Sequence, residues 1–489
     1  MRSILLSTIL FSVAANAATL AAKRAAACCD TLQGQLPGKV FGPSTSEYQE
    51  EQSSYYSALV SQQTPACRVN PFSADDVSTV LKTLKAGQCQ FAVRSGGHMQ
   101  WKGSNNIDAP GVTIDMGNMT SIKIADDKKS VQVGPGNRWG PVYDAIAVDD
   151  LIVVGGRSNT VGVGGYLLGG GISHLNAQHG FAAQNIVNYE VVLADGSIVN
   201  VNQDNYPDLH TAIQAGSTNF GIVTRYDLAT YPRPGMWGGL RSYNISENRA
   251  FLEGTMSFMD AQVNDPSAGG IIISMTDTVM SATMAYWNGD GPQSDAFDKI
   301  NAIPSTVDKV VPHTTQQELS ALVDDAFPGG QRALTNMLGF KADVQFALDL
   351  NAKSHELFEP YKDKDVFFAV TFQPFGKAVT RAIASKPSFQ GLETEVDNHL
   401  LVFGIAAYYD DPALDEPLDQ WIRDVISWGT QESKARGLEA PWLYLNYALP
   451  WQPVYESFGA SNLQKLKDLK AQYDPENVFG QLWPGGFKL

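Results

Sequence analysis

The first half of the chain alternates short helical and strand-like hydrophobic patterns from residue 71 onward. A Ser-Ala-Asp-Asp start at 73–76, followed by apolar residues at Val80, Leu81 and Leu84, predicts an amphipathic helix. Short apolar or alternating runs predict strands at 91–93, 112–115, 130–133, 189–193 and 197–199. The last two runs flank an Asp-Gly turn and predict a hairpin. Up to about residue 232 the pattern therefore predicts a mixed α+β region with many glycine turns.

The pattern changes after a Pro-Arg-Pro-Gly break at 232–235. The region from 236 to about 430 has strand-like runs at 270–274 and 366–370 and a helical run at 316–326. Such alternation indicates a sheet with helices on one face. A basic amphipathic pattern at 462–473 predicts a helix in the last part of the chain.

Composition and the N-terminus indicate a globular, exported protein. Apolar residues make up 44% of the 489 residues and charged residues 18%, and the net charge of −16 disfavours nucleic acid as a partner. Arg2, the apolar run 4–13 and Ala-Asn-Ala at 15–17 predict a signal peptide over 1–17. No other run reaches the roughly 18 apolar residues of a membrane span. We therefore expect a secreted, extracellular protein without a membrane segment. In the N-terminal part, 18–64, Lys23-Arg24 is a candidate processing site.

The four cysteines, Cys28, Cys29, Cys67 and Cys89, lie in the first fifth of the chain. An even number in an exported protein predicts two disulfides, with the adjacent pair bonding to the other two in either combination. Their spacing does not match a zinc site, so no metal is expected. Sequons at Asn118 and Asn244 predict a glycoprotein.

The densest glycine cluster is Val-Gly-Val-Gly-Gly-Tyr-Leu-Leu-Gly-Gly-Gly at 161–171. Glycines let backbone N–H groups approach an anion closely, and a pyrophosphate is the candidate anion. The glycine spacing differs from that of the Rossmann dinucleotide fingerprint. Taken alone, the cluster is equally compatible with a structural loop.

The order of motifs is more specific. It runs through Arg-Ser-Gly-Gly-His at 94–98, Asp115, Trp-Gly at 139–140, the glycine cluster, Glu-Val-Val-Leu-Ala-Asp-Gly at 190–196 and Asn-Phe-Gly-Ile-Val-Thr at 219–224. This series resembles the FAD-binding domain of berberine-bridge-enzyme-like oxidases, in the vanillyl-alcohol-oxidase superfamily. The resemblance covers about 65–232 and resumes at 444–447 and 473–479.

The resemblance implies an α+β fold with a two-part PCMH-type FAD-binding domain and a substrate domain whose antiparallel sheet is flanked by helices. The implied boundaries are 65–233 for the FAD-binding domain, 234–430 for the substrate domain and 431–489 for a segment that returns to the FAD-binding domain.

By the same resemblance, FAD is bonded through its 8α position to His98. A second link in many relatives uses a cysteine at the position of Ser158, and because a serine hydroxyl cannot replace a thiolate, a single link is expected. The implied FAD-binding residues are Arg94, Ser95, Gly96, Gly97, His98, Ser158, Val161, Gly162, Gly164, Gly165, Gly169, Gly170, Gly171, Ile222, Val223 and Asn446.

The resemblance assigns catalysis to Tyr447 with Asn446. A tyrosine needs a neighbouring cation or hydrogen bonds to its phenolate to act as a base, and the sequence does not identify that group. The sequence departs from the resemblance at Gln100, where a tyrosine is expected, and Trp101 or Tyr166 could supply an aromatic instead.

Four more residues bear on the interpretation. Arg157 stands where a small apolar residue that governs oxygen access is implied, which leaves the electron acceptor open, with O2 as the default. Gln184 replaces an aspartate, and His174 and His179 are interpreted as solvated or structural. Phe-Gln-Pro at 372–374 resembles a short family motif.

The resulting hypothesis is a monomeric FAD-dependent oxidase that acts on a C–H next to a hydroxyl or amine of a secondary metabolite or carbohydrate and forms H2O2. The alternatives are an oxidative cyclase, a low-turnover flavoprotein with a binding role, and a dehydrogenase that uses another acceptor. The substrate is not readable from the sequence.

Overall fold

The structure is a computed structural model that describes residues 21–289, 294–327 and 329–489. The predicted signal peptide, 1–17, lies outside the described residues. The helices are α1 (21–35), α2 (Ser46–Ser53), α3 (Ala58–Ser61), α4 (Ala74–Gly87), α5 (Trp139–Ala147), α6 (Val163–Leu167), α7 (Asn176–His179), α8 (Pro207–Ile213), α9 (Asn248–Gln262), α10 (Asp298–Asn301), α11 (Gln316–Ala326), α12 (Val344–Phe358), α13 (Lys377–Ala384), α14 (Asp415–Ala435), α15 (Val454–Ser457), α16 (Ala460–Tyr473) and α17 (Val478–Leu482).

A four-stranded sheet forms the first layer, with strand order β1-β2-β4-β3. Its strands are β1 (Val40–Phe41), β2 (Cys67–Val69), β3 (Phe91–Arg94) and β4 (Val112–Asp115). The β2–β4 and β3–β4 pairs are parallel, and α4 provides the crossover between β2 and β3. The helix begins where the pattern predicts, since the Ser73 hydroxyl accepts from the Asp76 N–H, and the first-turn acidic side chains favour the helix N-terminus.

Two disulfides tie α1 to this sheet. Cys28 bonds to Cys89 and Cys29 to Cys67, which confirms the expectation of two bridges and settles their pairing. Each bridge closes a long loop and removes conformational freedom from the unfolded chain. The candidate processing site Lys23-Arg24 lies within α1, ahead of both bridges.

An antiparallel sheet forms the second layer, in the order β5-β6-β10-β8-β9, with β7 also paired to β10. Its strands are β5 (Ile122–Ile124), β6 (Ser130–Val133), β7 (Leu151–Val153), β8 (Ile186–Val192), β9 (Ile198–Val201) and β10 (Ile222–Pro232). The predicted hairpin is the β8–β9 pair. The glycine cluster enters α6, between β7 and β8.

The third layer is an antiparallel sheet in the order β14-β11-β13-β12-β17-β18-β16, with β15 also paired to β11. Its strands are β11 (Trp237–Asn244), β12 (Ile272–Met275), β13 (Val279–Tyr286), β14 (Val307–Asp308), β15 (Val311–Pro312), β16 (Arg332–Lys341), β17 (Val366–Phe375) and β18 (Leu400–Tyr409).

Strand alternation in this third sheet separates a packed face from an open one. On β18, Phe403, Ile405 and Ala407 pack in the apolar core that includes residues of α9, α12 and α14. The alternate positions of the same strand line a cavity on the opposite face; they are Gly404, Ala406 and Tyr408. The predicted sheet with helices on one face is confirmed, and its second face is available to a ligand.

The segment after α16 packs back on the first sheet. Val478, Phe479, Leu482 and Trp483 share one apolar core with Phe91 of β3. Among the described residues, no helix combines the length and the apolar character needed to cross a membrane.

Candidate active site

A cavity of about 380 Å³ lies between the glycine segments of the first two layers and the open face of the third sheet. This volume is in the range of small-molecule sites in proteins. Predicted residues on its wall are Ser95, Gly96, Gly97, His98, Ser158, Val161, Gly162, Gly164, Gly165, Ile222, Val223, Asn446 and Tyr447. The structure therefore brings the implied FAD-binding and catalytic segments to one space.

Two glycine segments touch backbone to backbone in this wall. A Cβ added at Gly96 would lie 2.3 Å from the Cα of Gly162, and one added at Gly162 would lie 2.4 Å from the Cα of Gly96. Neither backbone has room for a side chain. Gly97 adopts a φ of +66°, in the region that favours glycine, so the chain turns there directly before His98.

His98 stands at the end of this turn. Its ring stacks on Tyr56 at a centroid distance of 3.9 Å, and its Nε2 lies 3.5 Å from the Thr160 hydroxyl. Burial, assisted by the charge of Arg138, lowers the pKa of His98 to about 3. The imidazole is therefore neutral at physiological pH, which is the state in which a ring nitrogen has a free lone pair.

Arg157 connects the candidate base to the third sheet. Its Nη2 donates to the Tyr447 hydroxyl at 2.9 Å and to Gln373 Oε1 of β17 at 2.7 Å. The Arg157 side chain is buried and is the single Lys or Arg on the described cavity wall. Arg157 is therefore a cation next to the Tyr447 hydroxyl, which the sequence alone did not identify.

Five other tyrosines line this wall. Burial raises the pKa of Tyr56, Tyr166, Tyr226, Tyr408 and Tyr444, which keeps these side chains protonated. Tyr166 also donates to the Ile172 carbonyl at 2.8 Å, which gives its hydroxyl a structural role. Trp101 lines the cavity with a buried, unpartnered Nε1.

Ser158 is held by helix α11, which carries Asp324. Its hydroxyl and the Thr160 hydroxyl both donate to Asp324, and the Asn159 N–H donates to the same carboxylate at 2.9 Å. Asp324 thus fixes the loop at the position where many relatives carry a cysteine link.

Four implied FAD-binding residues, Arg94, Gly169, Gly170 and Gly171, lie outside the cavity wall, and their role at the cofactor stays a prediction. Arg94 pairs with Asp115 at 2.8 Å because both are buried charges that need a partner. A Cβ at Gly169, Gly170 or Gly171 would meet Asn446, Gln390 or Tyr166, respectively, so these glycines allow close packing behind the wall.

Asn446 joins the two ends of the site. Its Nδ2 donates to the Tyr166 carbonyl and to the Tyr444 hydroxyl, each at 3.0 Å. These bonds hold the segment that carries Tyr447 against the glycine cluster, so Asn446 positions the neighbouring residue.

The remaining residues of interest have identifiable surroundings. Gln184 accepts from the Phe181 N–H and donates to the Ile383 carbonyl, both at 2.9 Å. His174 is buried beside Gly270, and the His179 ring contacts Tyr231 at a centroid distance of 4.1 Å. The structural interpretation of both histidines agrees with these contacts, whereas solvation does not describe His174.

Sequence reasoning missed part of the wall. The missed residues include Tyr56, Ser104, Asn105, Asp324, Asn336, Gly404, Tyr408, Trp483 and Phe487. The Phe-Gln-Pro motif at 372–374 was the available signal for Gln373. No local pattern distinguishes the others, because each belongs to an ordinary strand, helix or loop.

The wall fits FAD on two observations. The Gly96–Gly162 contact brings backbone within reach of a ligand without side chains in between. Buried polar atoms of the wall also have no hydrogen-bond partner among the described residues: Gln100 Oε1, Trp101 Nε1, Ser104 Oγ, Asn105 Oδ1, Asn336 Nδ2 and Trp483 Nε1. Buried polar groups require partners, and a ligand with many donors and acceptors supplies them.

The sequence matches two family models and resembles known proteins. Residues 65–202 match the family model described as FAD binding domain, and residues 443–481 match the model described as berberine and berberine like. The FAD-dependent monooxygenase drtC of Aspergillus calidoustus is 34% identical over 491 residues, covering 95% of this chain and 90% of that protein.

Solved structures share the fold. 6-Hydroxy-D-nicotine oxidase from Arthrobacter nicotinovorans has a TM-score of 0.75 at 20% identity, covering 91% of this chain and 97% of its own. Xylooligosaccharide oxidase from Myceliophthora thermophila C1 in complex with xylobiose has a TM-score of 0.73 at 18% identity, covering 94% and 99%. The chain belongs to the berberine-bridge-enzyme-like family of FAD-dependent oxidoreductases.

Proposed function

We propose that this FAD-dependent oxidoreductase is a secreted oxidase with a single histidyl link to its flavin. It oxidises a C–H next to a hydroxyl or amine of a small molecule, a secondary metabolite or a carbohydrate. The observation that carries the proposal is the contact of Arg157 with Tyr447, in the cavity that His98 also lines.

Tyr447 is the proposed base. The Arg157 guanidinium stabilises the negative charge that remains on the phenol oxygen when its proton is absent, and Gln373 orients the guanidinium. The Tyr447 oxygen then accepts the proton of the substrate hydroxyl or amine. FAD held by this wall would supply the acceptor for the hydride of the adjacent carbon, and the two electrons and two hydrogens removed from the substrate would convert O2 to H2O2.

His98 is the proposed covalent anchor because its imidazole is neutral and lies on the cavity wall. Ser158 is not a second anchor, since its hydroxyl is a weak nucleophile and donates to the Asp324 carboxylate. One bond to the flavin is therefore expected.

Secretion is supported by the predicted signal peptide and by two features of the described residues. Cys28–Cys89 and Cys29–Cys67 are disulfides, which persist in oxidising compartments, and both sequon asparagines, Asn118 and Asn244, are exposed. Mass spectrometry of protein from the medium, before and after glycosidase treatment, tests both the mature N-terminus and the glycans.

A denaturing gel scanned for flavin fluorescence tests the link. Wild type and the matched control Ser158→Ala should retain fluorescence on the protein band, and His98→Ala should lose it. Fluorescence that survives in His98→Ala would refute the histidyl assignment.

Product mass separates the proposed reaction from the one named for a relative. Peroxide release from a panel of sugars and phenolic or polyketide alcohols should accompany the loss of two hydrogens per substrate. A gain of one oxygen would instead favour monooxygenation, the activity named for drtC. A changed connectivity after the loss of two hydrogens would identify an oxidative cyclase.

A further inference from the structure

A second, much smaller cavity lies directly behind Arg157. Its volume is about 10 Å³, which is room for one water molecule. Arg157, Ile172 and Gln373 line both this space and the main cavity, so these three residues lie between the two.

Three buried polar atoms on the wall of the small cavity have no hydrogen-bond partner among the described residues. They are His174 Nε2, Asn176 Nδ2 and Gln262 Oε1. Their side chains are 6%, 3% and 1% exposed, so bulk water does not satisfy them. An unsatisfied buried polar group costs on the order of 1–3 kcal/mol, and three in one place indicate a shared partner.

The protein contacts of these side chains define which atoms are donors. His174 Nδ1 lies 2.9 Å from the Gly270 carbonyl and must carry the proton, which leaves Nε2 as an acceptor. Gln262 donates through Nε2 to the Ala268 carbonyl at 2.7 Å, so its Oε1 is an acceptor. Asn176 accepts from the Ser173 N–H through Oδ1, so its Nδ2 is a donor.

The wall therefore presents two acceptors, the donor Nδ2 of Asn176 and the guanidinium of Arg157. A water molecule accepts two hydrogen bonds and donates two, and this set matches it. An anion would leave His174 and Gln262 unsatisfied, and a metal cation would be repelled by Arg157 and the amide donor.

We propose that this small cavity binds one structural water, held by Arg157, Asn176, His174 and Gln262. The water accepts a hydrogen bond from Arg157, while Gln373 and Tyr447 accept hydrogen bonds from its Nη2. The site thereby positions Arg157, and this last role rests on the proposed function of Tyr447 as a base.

A crystal structure of the FAD-loaded protein tests the water directly. We expect one density peak in the cavity with four contacts of roughly 2.7–3.2 Å. A cavity without a peak, or a peak that bromide replaces, would overturn the proposal.

A double-mutant cycle tests whether two of the partners share one ligand. Asn176→Leu and Gln262→Met should each lower the folding equilibrium constant about tenfold, and the double variant should be little worse than either, because the first loss already releases the water. Asn351→Leu combined with Asn176→Leu is the control, since Asn351 is buried with an unpartnered oxygen but does not line this cavity. Additive effects in both pairs would contradict a shared water.

The positioning role has a separate readout. In Gln262→Met, kcat should fall several-fold while KM and flavin content stay near those of wild type, because a less restrained guanidinium holds the Tyr447 hydroxyl less firmly in place. An unchanged kcat together with a visible water in wild type would refute positioning while leaving the water site intact. An unchanged kcat in Tyr447→Phe would refute the proposed function instead.

Discussion

One wall of the main cavity is made of backbone and the opposite wall of side chains. On the first, Gly96 and Gly162 meet with no room for a Cβ, and His98 follows a glycine turn. On the second, Arg157 joins Tyr447 to Gln373 across 290 and 216 residues of sequence, respectively. The shape of the first wall depends on the absence of side chains at its glycines. The arrangement of the second wall depends on a few hydrogen bonds between residues far apart in sequence.

The two walls should therefore respond differently to substitution. A change in the backbone wall removes the space for the cofactor and affects every later step. A change in the side-chain wall leaves the space and alters what is done in it. Substitutions on the two walls should therefore be distinguishable by whether flavin is still bound.

Gly96→Ala should have the largest effect. The added Cβ would lie 2.3 Å from the Gly162 Cα, and neither backbone can yield without moving its segment. We expect protein without bound flavin, measured as flavin absorbance per chain after gel filtration. Gly34→Ala is the control, because that glycine of α1 is exposed, lies outside the cavity wall and has no atom within 4 Å of the added Cβ. Normal flavin content in Gly96→Ala would show that the glycine contact is not required.

Tyr447→Phe should bind flavin normally and lose activity. Removal of a positioned base typically lowers kcat by about 10²–10⁴-fold. Steady-state kinetics with any substrate from the peroxide screen measure the effect. Tyr408→Phe, which changes a second tyrosine of the same wall without an Arg157 contact, should stay within a few-fold of wild type. Equal losses in both variants would argue against Tyr447 as the base.

Arg157→Met should have the next largest effect. The loss of a charge-assisted hydrogen bond to Tyr447 corresponds to roughly 10–100-fold in kcat/KM. Arg157→Lys should recover part of the activity, because lysine keeps the charge but lacks the planar guanidinium that fixes the directions of the Nη2 N–H groups toward Tyr447 and Gln373. Full activity in Arg157→Met would remove the cation from the mechanism.

Acidification should have the smallest of these effects, and it acts on stability. Burial lowers the pKa of His174 from its ordinary 6.5 to about 3. Below pH 6.5 the unfolded chain takes up a proton that the folded chain refuses, so stability is full above that pH and falls as the pH drops toward 3. The loss for this residue at pH 5 is about 2 kcal/mol. Urea unfolding of wild type and His174→Phe at pH 7 and pH 5 measures it, and an equal decrease in both would assign the loss to other groups.

Local signals in the sequence account for much of the fold. The start of α4, the β8–β9 hairpin and the helix 316–326 all follow patterns confined to a few neighbouring residues. The backbone wall of the site was predictable for the same reason, since glycine marks close approach wherever it clusters. The resemblance to a family extended this to the placement of His98 and Tyr447 on one cavity.

The sequence did not predict the contacts between distant segments. Arg157 was noted only as a departure, because nothing near it in sequence shows that Tyr447 and Gln373 lie at its guanidinium. The sequence also did not show that Gly169 and Gly170 pack against Asn446 and Gln390, which lie more than 200 residues further along the chain. Such packing glycines carry the same local signal as ligand-facing ones.

The cavity wall also has a consequence for how the protein comes into being. Its residues are drawn from segments as far apart as Tyr56, His98, Thr335, Tyr447 and Phe487, so no early fragment contains a site. Contacts at such long sequence separation form slowly. Capture of flavin is then a late event of folding, and bound flavin stabilises only chains that have completed the whole architecture. Bound flavin therefore marks chains in which all of these segments have come together.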